Sequence, residues 1–300
     1  MREKIQILNQ FALKLIAILT MTLDHVGIFM MLYAPEQEFA NALFLTGYIF
    51  RCIGRISFPL FILMFVEGIF HTRNIKKYIM RVGIMAAILM IAQIIIYYAI
   101  DTTIEAAYSP LLDLLLCMIT IALLNRKDEL KYLAILPIAY ILLTFGVQVF
   151  EVSQMSTVLW LPFYIRPGYS LLGLLISLAF FYSYKIAYVP FKRMNVTDKV
   201  AYETNEFHSL ANTYMSLSLI VILTIIYLLS LITSTHDGYP LHPLDIYDAN
   251  LESWGMLAIL FIFMYNGKRG YNKPWFKYGC YLYFPVHIVI IFIIFTLIYM

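Results

Sequence analysis

Long apolar runs alternate with short polar segments along the whole of this 300-residue chain. A helix needs about 20 apolar residues to cross a bilayer, and most of the runs reach that length. Helical periodicity is weak inside them, because a span is apolar on its lipid face and on its packed face alike. The pattern predicts nine membrane-spanning helices, at residues 11–33, 42–70, 79–100, 110–124, 131–150, 162–184, 213–233, 252–266 and 277–299.

Composition supports an all-α fold, a polytopic membrane helix bundle that we expect to form one domain over residues 1–300. The chain is 62% hydrophobic and 13% charged, whereas soluble domains average about 45–50% and about 25%. The first run carries Asp24 and His25 and has no small-residue cleavage site, so we expect it to stay as a helix. The three cysteines lie in apolar runs, which predicts reduced packing residues. We expect a lipid environment and no nucleic-acid partner.

Basic residues set the orientation of the spans, because they concentrate on the cytoplasmic side of a membrane. With the N-terminus inside, every Lys and Arg residue falls on that side except Arg51, Arg55 and Arg166. The external loops then carry acidic residues instead. The sequence therefore predicts a cytoplasmic N-terminus and an external C-terminus.

The second span, residues 42–70, contains two arginines in an apolar context. A charge at membrane depth costs from about 3 to more than 10 kcal/mol, so such residues tend to be functional. Arg51 and Arg55 are four apart and share one helix face. Pro59 cannot donate to the carbonyl of Arg55, so we expect the helix to bend there. This span is a candidate site or the lining of one.

Two histidines in other spans fall at comparable depth. A rise of about 1.5 Å per residue puts His25 and Arg51 nearly level below the external surface, and it puts His287 near the midplane. Pro285 frees the Tyr281 carbonyl, as Pro59 does for Arg55. These groups could line one polar passage.

Simpler interpretations of these groups stay open. Asp24 and Arg51 could be a buried pair that only orients two helices, and His287 could be a core histidine bonded to a backbone carbonyl. An interfacial anchor would explain Glu67, His71 and Arg73. A metal cluster in the last external loop lacks the ligand spacing of known sites, so we expect no metal; its members would be His236, Asp237 and His242.

Five sequence blocks resemble the TraX family, which is named for a conjugation protein that acetylates the N-terminus of F pilin. One departure is Phe284 before Pro285, where the family has tyrosine. The blocks are KLIAILTMTLDHVG at 14–27, RCIGRISFP at 51–59, EGIFHTRN at 67–74, YNGKRG at 265–270 and YLYFPVH at 281–287.

The first two spans are also similar to the heparan-alpha-glucosaminide N-acetyltransferase family. The likeness consists of an apolar IAxxxM run and an FPxF sequence at residues 58–61. An asparagine of that family stands where this chain has His25. Such enzymes take acetyl from cytosolic acetyl-CoA and deliver it to an acceptor across the membrane.

The resemblances imply an acetyltransferase of the bacterial cytoplasmic membrane that uses acetyl-CoA as co-substrate. The acceptor could be a peptide or pilin N-terminus, a sugar or a small amine, and the protein could be a homo-oligomer. The implied catalytic residues are His25, Asp24, Arg51, Arg55 and His287. The implied cofactor-binding residues are Arg73, Lys76, Lys77, Asn266, Lys268, Arg269 and Tyr283.

These residue types suit acyl transfer. Histidine is the side chain whose ordinary pKa suits a general base, and either His25 or His287 could serve. Arginine can stabilise an oxyanion or bind a phosphate, and the cytoplasmic clusters of Lys and Arg can attract the phosphates of coenzyme A. Helical neighbours point about 100° apart, so we expect Asp24 to pair with an arginine rather than to orient His25. The glycines of YNGKRG would let the backbone approach a ligand closely.

Two other functions stay open. A proton-coupled transporter would also bury ionisable groups and break its helices at prolines, although the DH pair and the RxxxR block have no counterpart in the second half. A structural subunit of a secretion or conjugation apparatus would leave the buried charges unexplained.

Overall fold

The computed structural model describes residues 5–34, 40–99, 110–154, 156–231, 234–236, 239–241 and 249–299. Nearly all of the regular structure in them is helical. The helices are α1 Gln10–Tyr33, α2 Ala40–Gly54, α3 Ser57–His71, α4 Ile75–Ala99, α5 Pro110–Leu124, α6 Ile135–Gln154, α7 Ser170–Arg193, α8 Asp198–Ala201, α9 Asn205–Ser230, α10 Ala249–Ser253, α11 Ala258–Phe263 and α12 Pro274–Tyr299. Short 3-10 turns lie at Glu129–Ala134, Phe163–Ile165 and Trp254–Leu257. Strands β1 Ser234–His236 and β2 Tyr239–Leu241 pair antiparallel.

Within the described residues, 7 helical segments are long and apolar enough to cross a membrane. Two shorter apolar helices, Pro110–Leu124 and Asn250–Phe263, coincide with the two spans that the sequence predicts to be short. The long segments follow the other predicted spans in order. The protein is therefore a multi-pass, all-helical membrane protein, while the count of nine spans and their orientation stay predictions.

The predicted bend in the second span is present as a break between α2 and α3. Helix α2 ends at Gly54 and α3 begins at Ser57, which leaves Arg55 and Ile56 in a turn. Pro59 lies in the first turn of α3, where a missing backbone N–H is tolerated. The carbonyl of Arg55 faces Gly255, on which a Cβ atom would lie 3.6 Å from that oxygen.

The predicted boundaries of the sixth span, 162–184, are wrong. Its helix α7 begins at Ser170 and continues to Arg193. The carboxylate of Asp113 accepts hydrogen bonds from the backbone N–H groups of Gly168 (2.7 Å), Tyr169 (3.0 Å) and Ser170 (2.7 Å). These are the groups that a helix start leaves without intrahelical partners, so a side chain from α5 fixes where α7 begins.

The chain divides into two compact units. Unit 1 comprises Met1–Phe61, Tyr182–Thr224 and Asn250–Met300, and its buried core includes Leu13, Phe207 and Tyr265. Unit 2 comprises Ile62–Phe181 and Ile225–Ala249. Its core includes fully buried apolar side chains of α3, α5 and α6, among them Ile62, Ile121 and Ile141. The charged and histidine residues of the candidate catalytic set all belong to unit 1.

Candidate functional site

Glycines allow α1 and α2 to cross at close range. A Cβ atom on Gly27 would lie 2.5 Å from the carbonyl oxygen of Gly47 and 2.9 Å from Cγ of Arg51. A Cβ atom on Gly47 would lie 2.8 Å from the carbonyl oxygen of Gly27, and Gly54 packs equally tightly against Asp24. Larger residues would push the helices apart. The close crossing therefore brings Asp24 beside the arginines of α2 and of the turn that follows it.

Arg55 lies at the centre of an ion network. Its Nη2 donates to Oδ1 of Asp24 at 2.5 Å, and its Nη1 donates to Oε1 of Glu252 at 2.6 Å. Arg51 is farther away, with Nε 3.9 Å from Asp24 Oδ1. The sequence predicts that Asp24 pairs with an arginine, and the structure makes Arg55 the closer partner. Two carboxylates thus neutralise the buried Arg55 guanidinium.

Glu252 is a member of this network that the sequence analysis missed. It lies in α10, at the edge of an apolar run, where an acidic residue looks like an ordinary loop charge. The sequence did indicate a second acidic partner, because the second span holds two arginines and Asp24 supplies only one carboxylate. Buried charges are paired, so a second acid near these arginines was to be expected.

Arg51 retains unused hydrogen-bond donors. Its Nε is buried and has no hydrogen-bond partner among the described residues. Its side chain is 26% exposed, and its contact with Asp24 is too long for a hydrogen bond. A guanidinium with vacant donors beside a partly neutralised network can bind an anionic oxygen.

The two predicted histidines, His25 and His287, contact each other. His287 Nε2 lies 3.0 Å from His25 Nδ1, and the rings meet edge to face with centroids 4.8 Å apart. His287 Nδ1 lies 2.8 Å from the carbonyl oxygen of Tyr283, and His25 Nδ1 lies 2.9 Å from that of Met21. Helices α1 and α12 thus share one buried histidine pair.

The carbonyl partners determine which nitrogen of each neutral histidine ring carries the hydrogen. A carbonyl oxygen only accepts, so His287 Nδ1 carries a hydrogen and its Nε2 has a lone pair. That lone pair accepts from Nδ1–H of His25, which is shared with the carbonyl of Met21. Nε2 of His25 is then unprotonated, and no described residue hydrogen-bonds to it.

Tyr283, a predicted cofactor-binding residue, supports His287 in the described structure, and its binding of a cofactor stays a prediction. Its ring stacks on the imidazole at 4.9 Å with an interplanar angle of 3°. Its hydroxyl lies 2.7 Å from Oγ1 of Thr22, whose own hydroxyl donates to the carbonyl of Ile18 at 2.8 Å. Tyr283 therefore donates to Thr22, a residue that the sequence analysis missed because threonine is common in membrane helices.

The YNGKRG block forms a loop that is packed against its own chain. Gly267 and Gly270 adopt positive φ angles of 71° and 66°, in the left-handed region that favours glycine. A Cβ atom on Gly267 would overlap the ring of His208, and one on Gly270 would overlap Asn9. The expected close approach to a ligand is, in the described structure, a close approach to these two side chains.

The other predicted cofactor-binding residues lie on the surface of the two units. In unit 1, Asn266 accepts from the backbone N–H of Lys268 at 2.9 Å, and Lys268 and Arg269 are exposed. In unit 2, the segment after α3 and the first turn of α4 expose a second cluster. That cluster consists of Arg73, Lys76 and Lys77. Binding of a cofactor by either cluster stays a prediction.

No group of three or more His, Cys, Asp or Glu side chains that could hold a metal ion occurs in the part of the chain that the structure describes. Asp237 and His242, two members of the cluster considered from the sequence, lie outside the described residues.

Comparison with known proteins identifies the family. The family described as TraX protein matches residues 9–228. The chain belongs to the TraX family. The matched range holds Asp24, His25, Arg51 and Arg55 and ends before the stretch that carries Glu252, Tyr283 and His287. The likeness to the heparan-alpha-glucosaminide N-acetyltransferase family stays a prediction.

A second comparison finds a short match between this TraX-family chain and a curated protein. Over 73 residues it is 36% identical to the probable fimbrial assembly protein FimC, serogroup H1, of Dichelobacter nodosus. The match covers 24% of this chain and 26% of that protein, so it spans about a quarter of the curated relative. No solved structure matches the chain.

Proposed function

We propose that this TraX-family protein is an acetyltransferase of the bacterial cytoplasmic membrane, which moves acetyl from cytosolic acetyl-CoA to an amine or hydroxyl acceptor at or beyond the outer face. The carrying observation is the hydrogen-bonded histidine pair on α1 and α12, in which His25 directly follows Asp24, the partner of Arg55. It supplies a proton acceptor, the Nε2 lone pair of His25, and Arg51 supplies an unused donor. Acyl transfer to a nucleophile needs both.

His25 acts as the general base in this proposal. Its Nε2 takes the proton from the acceptor as the nucleophile attacks, and it returns that proton to the leaving sulfur. While His25 is protonated, its Nδ1–H still donates to the carbonyl of Met21 and to Nε2 of His287. A positioned base of this kind contributes a factor of about 10²–10⁴ in rate.

Arg51 and Arg55 have different electrostatic roles in this proposal. Bound acetyl-CoA supplies a thioester carbonyl whose attack by the acceptor places negative charge on oxygen. Arg51 has donors available for such an oxygen. Arg55 is held between Asp24 and Glu252, and it therefore keeps the network neutral and the helices in position.

The exposed cations fit the phosphates of coenzyme A. Lys268 and Arg269 follow Asn266 on an ordered loop of unit 1, and Arg73, Lys76 and Lys77 are exposed in unit 2. Clusters of one sign attract an oppositely charged ligand. Either cluster therefore suits the nucleotide end of the co-substrate.

A peptide amine is the acceptor that the relatives favour. The fimbrial relative is named for fimbrial assembly. We therefore propose a pilin-type N-terminus first, with an envelope sugar or a small amine as the other acceptors to test. A proton-coupled transporter is the second candidate, because two hydrogen-bonded histidines on different helices can also relay a proton.

The test is acetyl transfer by the purified protein, followed by mass spectrometry of a panel of peptide, sugar and amine acceptors incubated with acetyl-CoA. His25→Ala should lower the rate by a factor of about 10²–10⁴, because the base is lost. His71→Ala is the matched control, since the Nδ1 of His71 also lies 2.9 Å from a carbonyl four residues earlier, but in unit 2.

His287 distinguishes the two histidine assignments. His287→Gln offers an oxygen acceptor near the position of Nε2 and should keep part of the activity, whereas His287→Leu should not. Full activity of His25→Ala would remove that residue from the base role. Folded protein that transfers no acetyl to any acceptor, yet moves protons with a solute across vesicles, would establish the transporter instead.

A further inference from the structure

An apolar groove of about 410 Å³ runs along α6 in unit 2. Helix α6 is one of the segments long and apolar enough to cross a membrane. Its lining residues recur at helical spacing over nine positions, a length of about 12 Å. They are Leu142, Leu143, Gly146, Val147 and Phe150.

Gly146 gives the groove its depth. A Cβ atom on this glycine would meet nothing within 4 Å, so the backbone does not require glycine there for packing inside the protein. Leu143 and Phe150 stand on either side along the helix and are about half exposed, at 48% and 52%. The missing side chain therefore leaves an open channel between two apolar walls.

The other wall is a loop that an ion pair holds in place. Arg166 pairs with Glu151 and also donates to the carbonyls of Val158 (3.1 Å) and Leu161 (2.5 Å). Glu151 accepts from the backbone N–H of Val158 at 2.6 Å. Both charges are thus satisfied by each other and by the loop backbone, so the loop is clamped from both sides.

The clamped loop presents its apolar side chains outward. Val158 and Trp160 line the groove. Leu159 is 89% exposed and Trp160 is 68% exposed. Exposed apolar side chains on an ordered loop indicate a contact surface, and tryptophan is enriched where hydrocarbon meets headgroups and water.

The polarity of the groove lining indicates which kind of molecule binds there. Apart from the indole N–H of Trp160, the lining side chains offer no hydrogen-bond partner. A peptide backbone lying there would leave polar groups unsatisfied at a cost of several kcal/mol each in hydrocarbon, whereas a hydrocarbon chain loses nothing. The polar clamp at one end and the apolar groove beyond it match the polarity of a lipid from headgroup to chain. We infer that the groove binds one acyl chain of a bilayer lipid, with Trp160 at the headgroup boundary.

Fluorescence of Trp160 tests the inference. The chain has 3 tryptophans, so Trp254→Phe with Trp275→Phe leaves Trp160 as the single probe. In nanodiscs of phosphatidylcholine brominated along its acyl chains, Trp160 should be strongly quenched. Gly146→Leu fills the groove and should lose most of this quenching, while Gly146→Ser is a smaller change that should lose less.

Gly279→Leu is the matched control. A Cβ atom on Gly279 also meets nothing within 4 Å, but Gly279 lies on α12 in unit 1, away from the groove lining. Quenching that is unchanged in Gly146→Leu, or reduced equally in Gly279→Leu, would overturn the assignment. So would a Trp160 that iodide quenches and brominated lipid does not, since the loop would then face water or a protein partner.

Discussion

At the scale of single residues, the site separates two arginines that the sequence makes look equivalent. Arg55 is buried and bonded to two carboxylates, and Nε of Arg51 has no hydrogen-bond partner among the described residues. A buried charge without its partners is strongly unfavourable, whereas a partly exposed arginine that makes only one long contact contributes little to folding. We therefore expect Arg55 to be needed for folding and Arg51 to be available to a ligand.

Substitution of each arginine should reveal this division. Arg55→Ala leaves Asp24 and Glu252 close together without their cation, and should destabilise the protein by about 3–5 kcal/mol. Arg51→Ala should leave the melting temperature nearly unchanged and abolish acetyl transfer. Arg51→Lys should restore only part of the rate, because lysine lacks the planar fork of the guanidinium.

Thermal unfolding in detergent and the transfer assay together measure the contrast between the arginines. Equal losses of stability in the two alanine variants would show that both are structural. A fully active Arg51→Ala would remove Arg51 from the site.

Local sequence singled out part of this network of ionisable residues and missed the rest for a physical reason. Asp24, His25, Arg51 and Arg55 stand out because each is an ionisable group inside an apolar run. Glu252 contacts Arg55 across 197 positions of the chain, and Thr22 meets Tyr283 across 261. Such partners are set by tertiary packing and leave no signal in their own neighbourhood.

At the scale of helices, the crossing of α1 and α2 depends on the absence of side chains. Gly27 and Gly47 face each other across the contact. Small residues allow transmembrane helices to approach closely, and close approach replaces the hydrophobic effect as a source of stability in lipid. The ion pair between Asp24 and Arg55 therefore depends on two glycines, which have no side-chain functional group.

Gly47→Ala should disrupt this crossing. The added methyl group would lie 2.8 Å from the carbonyl oxygen of Gly27, so α2 must move away from α1. We expect lower thermal stability and a loss of acetyl transfer together. Gly279→Ala, which adds the same group into open space, should change neither. Wild-type stability and activity in Gly47→Ala would show that the two helices can separate without cost to the site.

Helix boundaries were predictable where their signals are local. The bounds 110–124 agree with α5, and the bend before Pro59 was expected from proline alone. The start of α7 was misplaced because Asp113, 55 to 57 positions away, supplies the acceptor for the N–H groups at 168–170. A hydropathy pattern cannot show that the N-terminal cap of a helix is a side chain of another helix.

At the scale of the whole molecule, segments far apart in sequence meet in unit 1. Helices α1 and α12 join through His25 and His287, and residues 8–10 bond to the backbone of the loop at 264–268. The candidate site therefore forms only when these distant segments have assembled. The same loop exposes Lys268 and Arg269, which connects the catalytic proposal with the entry of a charged co-substrate.

Coenzyme A should protect the folded protein against heat, by an amount that rises with its concentration. A ligand that binds only the native state adds about 2.7 kcal/mol at a hundredfold excess over its dissociation constant. Lys268→Ala with Arg269→Ala should weaken this protection, because two cations near the phosphates are lost. Lys127→Ala with Lys131→Ala removes the same charge from another exposed segment and should leave the protection intact.

Melting that is unaffected by coenzyme A in folded wild-type protein would contradict the co-substrate proposal. Equal weakening in both double variants would show that only net charge, and no particular loop, attracts the ligand.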